Sequence, residues 1–225
     1  MNFMSLESIL IMTPILLIAL PFHEYAHAFV AYKQGDPTAK DAGRLTLNPL
    51  KHLDILGVLM MYVAHIGWAK PVPINSYYFK NRKKGLVLVS LAGPLSNLVL
   101  AFVFMMIWGL IEKMVIAQVI VINTETMQTI IFYALAFFEI FTRVNIYLAV
   151  FNLFPIPPLD GSRLISLFVP EESYYRFSRY EQYIGIAFIA LVIFIPGVLG
   201  KVIGFFAEPI YNSMEFFKTF IFGLQ

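Results

Sequence analysis

Three ionisable residues lie close together in an apolar stretch near the amino terminus, within the segment PFHEYAHAFVAY. His23 and His27 are four residues apart, so on a helix their imidazoles share one face. Two imidazoles at this spacing can hold one Zn²⁺, each at about 2.0–2.1 Å. Glu24 follows the first histidine and is available as a general base toward a zinc-activated water. The pattern therefore predicts a hydrolytic zinc site.

A catalytic zinc ion usually takes a third protein ligand besides two histidines. Asp160, in FNLFPIPPLDGSR, is the best candidate, because the prolines before it end a helix. Non-helical backbone at membrane depth is buried in protein or lines a wet cavity, which suits an active site. An ordinary Asp-Gly turn explains the local sequence equally well. Four other residues are rivals for this ligand position: His52, Asp54, His65 and Glu139.

Three of these rivals fit other roles. His52 and Asp54 lie in a basic loop, where we expect them to be solvated. Glu139 lies four residues before Arg143, a spacing typical of an ion pair within one helix.

The composition indicates that a lipid bilayer surrounds most of the chain. Of 225 residues, 59% are hydrophobic and 13% are charged, with a mean hydropathy of +0.75. A soluble domain carries about 25% charged residues. The absence of cysteine excludes disulfides, thiolate zinc ligands and cysteine nucleophiles. The start lacks the basic region and cleavage site of a secretory signal, so we expect the first apolar segment to be retained.

Four stretches are apolar enough to cross a bilayer, which takes about 20 residues. They are residues 9–32, 86–111, 129–154 and 183–206. Pro196 and Gly197 predict a break within the fourth stretch. The sequence thus predicts a polytopic α-helical membrane protein with about four transmembrane helices, forming a single domain over residues 1–225.

A fifth apolar run, residues 55–69, is too short for a standard span. It ends in WAKPVPIN, whose two prolines oppose helix. We therefore predict a re-entrant loop or short strands here, and include a small re-entrant β element in the fold. Residues 55–79 could present a strand edge to an extended substrate, or could form a purely structural hairpin.

Basic residues are concentrated in the loop at residues 33–85, which holds nine of the sixteen lysines and arginines. The positive-inside rule places this loop in the cytoplasm. The amino terminus and residues 112–128 are then external, and residues 155–182 return to the cytoplasm. Both parts of the predicted zinc site therefore lie toward the cytoplasmic face.

Several motifs together resemble the site-2 protease family, whose members are intramembrane zinc metalloproteases that cut transmembrane or membrane-bound substrates. HEYAH lies in the first span, AGPLSN in the second, and NLFPIPPLDG follows the third. GRLTLNPLKHLD and WAKPVPIN also match. The similarity runs from about residue 21 to residue 163 and is closest to the small bacterial and archaeal branch. We expect this chain to lack the PDZ and CBS domains of larger members.

The resemblance implies a role for each motif residue. His23, His27 and Asp160 would be the ligands of one Zn²⁺ per chain, and Glu24 the catalytic glutamate. Asn152 matches the family's asparagine that supports the tetrahedral intermediate. The expected partners are the bilayer and transmembrane or membrane-anchored protein substrates, with no nucleic acid. The expected location is the plasma membrane, with the active site toward the cytoplasm.

Two other functions compete with an intramembrane endopeptidase. A membrane zinc transporter or sensor would need no glutamate base, and would usually show more ligand pairs along a path. A catalytically silent relative would only bind membrane segments, and the complete motif argues against it. Within AGPLSN, the residues Gly93, Pro94 and Asn97 are as well suited to helix packing as to catalysis.

Overall fold

The structure, a computed structural model, describes residues 6–64 and 69–224 and consists mainly of helix. The described ranges contain eight α-helices: α1 (Leu6–Lys33), α2 (Thr38–Asp41), α3 (Ile55–Ala64), α4 (Arg82–Ile116), α5 (Glu125–Leu153), α6 (Glu171–Ser178), α7 (Glu181–Phe194) and α8 (Pro196–Phe222). Short 3₁₀ helices cover Pro49–Lys51, Ser76–Tyr78 and Asp160–Leu167.

Three of the described helices are long and apolar enough to cross a membrane. They are Ile9–Lys33 within α1, Arg82–Ile116 and Glu125–Leu153. These helices coincide in position with the first three predicted spans. The mainly α-helical fold predicted from the hydropathy pattern is therefore confirmed, with three candidate membrane-spanning helices among the described residues, while the predicted number of about four spans is not confirmed.

The predicted fourth span is divided between two helices. α7 ends at Phe194 and α8 begins at Pro196, so the break expected at this proline is confirmed. α7 has 14 residues. At 1.5 Å per residue it is about 21 Å long, shorter than the hydrocarbon core of about 30 Å. A continuous span over residues 183–206 is therefore not confirmed.

The predicted β element is not confirmed either, because its first part is helical. Residues Ile55–Ala64 form α3, and Asp54 caps it by accepting a hydrogen bond from the Gly57 N–H at 2.9 Å. A helix satisfies its own backbone groups, whereas a strand in lipid needs a neighbouring strand. Residues 65–68 lie outside the described residues. The described remainder shows one isolated antiparallel bridge, between Leu53 and Ala69.

The chain divides into two compact units. The first comprises Met1–Ser96 and Phe151–Pro196, and the second comprises Asn97–Val150 and Gly197–Gln225. The candidate zinc ligands belong to the first unit. The assignment of all 225 residues to one functional domain stays a prediction.

Polar contacts within the second unit account for two residues that the sequence left open. The Asn97 side-chain amide donates to the Asn145 Oδ1 at 2.9 Å, and both side chains are fully buried. Asn97 therefore joins α4 to α5, as expected of a packing residue. Arg143 Nε donates to Glu139 Oε1 at 3.1 Å, which confirms the predicted ion pair and gives Glu139 a partner other than a metal.

Candidate active site

The two histidines of the HEYAH motif lie side by side on one buried face of α1. His23 is 8% exposed and His27 is 5% exposed. Their Nε2 atoms are 3.0 Å apart, and their rings are nearly perpendicular, at 85°. The i, i+4 spacing read from the sequence thus brings two imidazole nitrogens to one point.

Asp160 reaches the same point from the segment that follows α5. The helix ends at Leu153, and tight turns carry the chain to Asp160 at the start of a 3₁₀ helix. Gly161 makes this approach possible, since a Cβ atom there would lie 2.2 Å from the Leu153 carbonyl oxygen. The proline-rich segment and the glycine together fix where the carboxylate is delivered.

The three candidate ligand atoms form a nearly equilateral triangle. Asp160 Oδ2 lies 3.1 Å from His23 Nε2 and 3.0 Å from His27 Nε2. Around a tetrahedral zinc with bonds of about 2.0–2.1 Å, neighbouring ligand atoms are about 3.3 Å apart. A small outward movement of each ligand would therefore accommodate the ion. Among the described residues, these three are the group of His and acidic side chains arranged to hold a metal ion.

The surroundings of His27 favour a cation at the centre of this triangle. His27 Nδ1 lies 2.7 Å from the Val89 carbonyl oxygen, so Nδ1 must carry a proton and donate it. In the neutral imidazole Nε2 then carries a lone pair, directed at an Asp160 oxygen that also carries lone pairs. Two lone pairs that point at each other repel unless a cation lies between them. A hydrogen bond from the second ring nitrogen to a backbone carbonyl is also common for zinc-ligating histidines. The residues present fit zinc.

The charge of Asp160 suits the same role. Burial raises the pKa of its carboxyl group, but contacts with His23 and His27 outweigh burial and hold the pKa below its ordinary value. The anionic carboxylate is the form in which Asp160 would bind a divalent cation.

Glu24 lies beside the ligand face rather than on it. One residue after His23, it is turned by about 100° around the helix. Its Oε2 atom accepts a hydrogen bond from the Val72 N–H at 3.0 Å, and the side chain is half-buried. Glu24 is thus next to the candidate ligand His23 in the helix, with its carboxylate hydrogen-bonded to Val72, and it is outside the group of three converging side chains.

The remaining site candidates are placed as follows. Asn152 is half-buried in the last turn of α5, eight residues before Asp160, and its participation stays a prediction. His52 was expected to be solvated, which is wrong. It is fully buried, and the hydrogen bond from its Nε2 to the Thr46 carbonyl at 2.7 Å compensates part of the lost hydration. Asp54 caps α3, and His65 lies outside the described residues.

Gly93 is a site residue whose importance the sequence did not decide. A Cβ atom at Gly93 would lie 2.4 Å from His27 Nε2 and 2.6 Å from His23 Nε2. Gly93 is four residues after Val89, so both face the histidines from the same side of α4. The glycine lets the α4 backbone come close enough for the Val89 carbonyl to bind His27.

Comparison with known proteins gives a consistent result. The family model for peptidase family M50 matches residues 11–195. The candidate zinc metalloprotease YwhC of Bacillus subtilis is 42% identical over 190 residues, covering 84% of this chain and 82% of YwhC. The candidate zinc metalloprotease Rip2 of Mycolicibacterium smegmatis is 33% identical over 151 residues, covering 64% of this chain and 52% of Rip2. No solved structure matches the chain.

The family match and the geometry agree on the same segments. The matched region begins inside α1 and ends after α7, so it includes both histidines, Glu24, Asn152 and Asp160. Zinc is the metal that the relatives' names specify, and the converging donors have the types and spacing that zinc takes. Because the family model covers most of the chain, this protein belongs to peptidase family M50, the site-2 protease family, and is a zinc metalloprotease.

Proposed function

We propose that this protein is an intramembrane endopeptidase, which hydrolyses peptide bonds of transmembrane or membrane-anchored protein substrates. The observation that carries the proposal is the position of the histidine pair within a helix long enough to span the bilayer. At 1.5 Å per residue, His27 and His23 lie roughly 9 and 15 Å along the helix from Lys33. A site at that depth suits a substrate that is itself in the membrane better than a soluble one.

In this proposal Glu24 carries the proton transfers. When bound by His23, His27 and Asp160, zinc supplies a Lewis acid that lowers the pKa of the attacking water and polarises the scissile carbonyl. Glu24 accepts the water proton and later gives it to the leaving amine. Its position beside the ligand face, with Oε2 held by Val72, supports this role.

A substrate helix must be opened before it is cut. Within a helix the backbone amides are hydrogen-bonded to one another. In lipid these bonds are not readily broken, because no water is present to replace them. We therefore expect cleavage where the substrate helix is weakened, for example near glycine or proline.

The function is tested with purified protein reconstituted in lipid vesicles. Two kinds of substrate are compared: single-span membrane proteins, and a soluble protein that carries the same cleavable sequence. We expect zinc-dependent cleavage of the membrane proteins, lost after chelation and restored by zinc. Cleavage of the soluble protein at an equal rate would contradict the intramembrane assignment. A zinc-loaded protein that cleaves none of the substrates would favour a transporter or a silent relative.

Asn152 is proposed to donate a hydrogen bond to the substrate carbonyl oxygen as negative charge develops there. Asn152→Ala should lower the cleavage rate by roughly 10²–10³-fold, as removal of an oxyanion donor does. The amide is not a zinc ligand in this assignment, so the zinc content should equal that of the wild type. Loss of zinc together with activity would instead assign Asn152 a structural role at the end of α5.

The site is proposed to face the cytoplasm from the plasma membrane. The support is the concentration of lysine and arginine in residues 33–85. A cysteine introduced as Lys83→Cys would be the sole thiol in the chain. We expect it to be protected from a membrane-impermeant thiol reagent in intact cells and labelled after the membrane is opened. Labelling in intact cells would invert the orientation.

A further inference from the structure

The segment KPVPIN, residues 70–75, lies between two of the described helical elements and is named the strap here. Its burial alternates: Pro71 and Pro73 are exposed, whereas Val72 is 8% exposed. This alternation is typical of an extended chain with one face against the protein. The inward face of the strap is therefore the face of Val72.

The buried side of the strap is fixed by hydrophobic packing and by charged side chains. Val72 packs in a cluster with Ala28 of α1 and Ala39 of α2. At the carboxyl end, the fully buried Asp36 accepts a hydrogen bond from the Asn75 N–H at 2.6 Å. The strap is thus anchored to the helix that carries the zinc-binding histidines.

Arg44 fixes the amino end of the strap. Its guanidinium donates to the Lys70 carbonyl at 2.5 Å and to the Pro71 carbonyl at 3.4 Å, and the residue is only 7% exposed. Burying an arginine to bind backbone carbonyls costs free energy, because the guanidinium loses its hydration. Such a group indicates that the position of these carbonyls matters.

A single peptide group connects Arg44 to Glu24. The carbonyl of Pro71 and the N–H of Val72 belong to the same peptide unit. The Arg44 guanidinium lies 3.4 Å from its oxygen, a longer contact than the 2.5 Å bond to the Lys70 carbonyl, and Glu24 Oε2 accepts its N–H at 3.0 Å. A cation at one end and an anion at the other polarise the peptide in the same direction, which strengthens both bonds. Because proline has no N–H, Val72 supplies the one donor between Pro71 and Pro73.

We infer that the Pro71–Val72 peptide group, held by Arg44, is the element that positions the Glu24 carboxylate for proton transfer. The inference rests on the proposed role of Glu24 as general base. With Oε2 bound to Val72, the side chain is confined to one arrangement and Oε1 is the oxygen that receives the proton. Arg44 and Val72 are accordingly positioning residues that act through Glu24.

The test removes the Val72 N–H while keeping the strap extended. Val72→Pro removes the donor and retains an extended chain, because the neighbours of residue 72 are already prolines. Val72→Ala keeps the donor and shortens the side chain, so it reports the effect of lost packing. We expect kcat of Val72→Pro to be about 10–100-fold below that of Val72→Ala, the cost of one hydrogen bond to a charged group. KM and zinc content should be equal in the two variants.

A second pair of variants distinguishes positioning from a structural effect. Glu24→Asp shortens the carboxylate so that it cannot reach Val72, and in that background Val72→Pro should cost less than about threefold. If Val72→Pro does not fold, Arg44→Lys serves instead, with kcat expected about 3–10-fold below wild type at unchanged zinc content. Arg44→Lys has the disadvantage of retaining one possible donor, which is why its expected effect is smaller.

Several results would overturn the inference. Equal kcat values for Val72→Pro and Val72→Ala would remove the N–H from the mechanism, and a higher kcat for Val72→Pro would make the strap an inhibitory contact. Equal losses in the wild-type and Glu24→Asp backgrounds would show a merely structural role. If instead Glu24→Gln cleaves at the wild-type rate, the proposed function of Glu24 fails first, and this outcome is separable from failure of the strap alone.

Discussion

Glu24→Gln is expected to fold, to keep its zinc and to cleave roughly 10²–10⁴-fold more slowly than the wild type, the usual contribution of a general base. Glutamine has nearly the same shape as glutamate, and its carbonyl oxygen can still accept the Val72 N–H. What it lacks is the ability to take up a proton at neutral pH. The substitution therefore isolates the proton transfer from both metal binding and the strap contact.

Two measurements on one preparation test this expectation: zinc content per chain and the rate of cleavage of a membrane-embedded substrate. Glu125→Gln is the matched control, because this glutamate is exposed at the start of α5 and remote in sequence from the motif. It should behave as wild type in both measurements. Near-normal cleavage by Glu24→Gln would exclude Glu24 as the base. Loss of zinc would instead make Glu24 necessary for the ligand geometry.

The zinc-ligand geometry could be anticipated from sequence because it depends on local rules. The approach of His23 to His27 follows from helical periodicity alone. The delivery of Asp160 by a non-helical segment follows from the prolines that end α5, although the choice of Asp160 over an Asp-Gly turn needed the family resemblance. The break before Pro196 likewise follows from a single residue, since proline cannot continue a helix hydrogen-bond pattern.

The features that were missed depend on contacts between distant segments. The hydrogen bond from Val72 to Glu24 joins residues 48 apart, and that from His27 to the Val89 carbonyl joins residues 62 apart. Nothing in the local sequence of either partner specifies such a pair. The helical state of α3 was within reach, because Asp54 before an apolar run is a helix N-cap signal. The prolines of WAKPVPIN follow α3 and oppose helix only in their own segment, not in the apolar run before it.

The second large effect is expected at Gly93, where Gly93→Ala should reduce zinc affinity and abolish measurable cleavage. The added methyl group would lie 2.4 Å from His27 Nε2 and 2.6 Å from His23 Nε2. Carbon atoms in favourable contact are about 3.5–4.0 Å apart, so one side must move by about 1 Å. His27 resists such movement because the Val89 carbonyl holds its Nδ1 at 2.7 Å. Loss of a residue that supports a metal ligand usually lowers metal affinity by roughly 10–100-fold. We expect displacement of the ligands themselves to lower zinc affinity by at least as much.

Gly200→Ala is the matched control for Gly93→Ala. Gly200 also lies inside a helix, and a Cβ atom there meets nothing within 4 Å. Alanine should raise the helix propensity at both positions, so a general effect of replacing glycine would be favourable in each. Zinc titration of the two apoproteins, with helicity measured by circular dichroism, separates the cases. Zinc affinity equal to wild type in a folded Gly93→Ala variant would contradict the close approach of α4 to the histidines.

The two large effects differ in a way that identifies their causes. Glu24→Gln should lose the reaction while the metal stays bound, because it changes only the proton acceptor. Gly93→Ala should lose the reaction because the metal is lost, and added zinc should partly restore cleavage if the displaced ligands still converge. Zinc at 100 times the Kd of Gly93→Ala would occupy about 99% of its sites by mass action. Glu24→Gln should not respond to zinc at any concentration. Restoration of cleavage by zinc in Glu24→Gln would contradict the assignment of proton transfer to Glu24. A folded Gly93→Ala variant that binds zinc but does not regain cleavage would contradict the assignment of ligand spacing to Gly93.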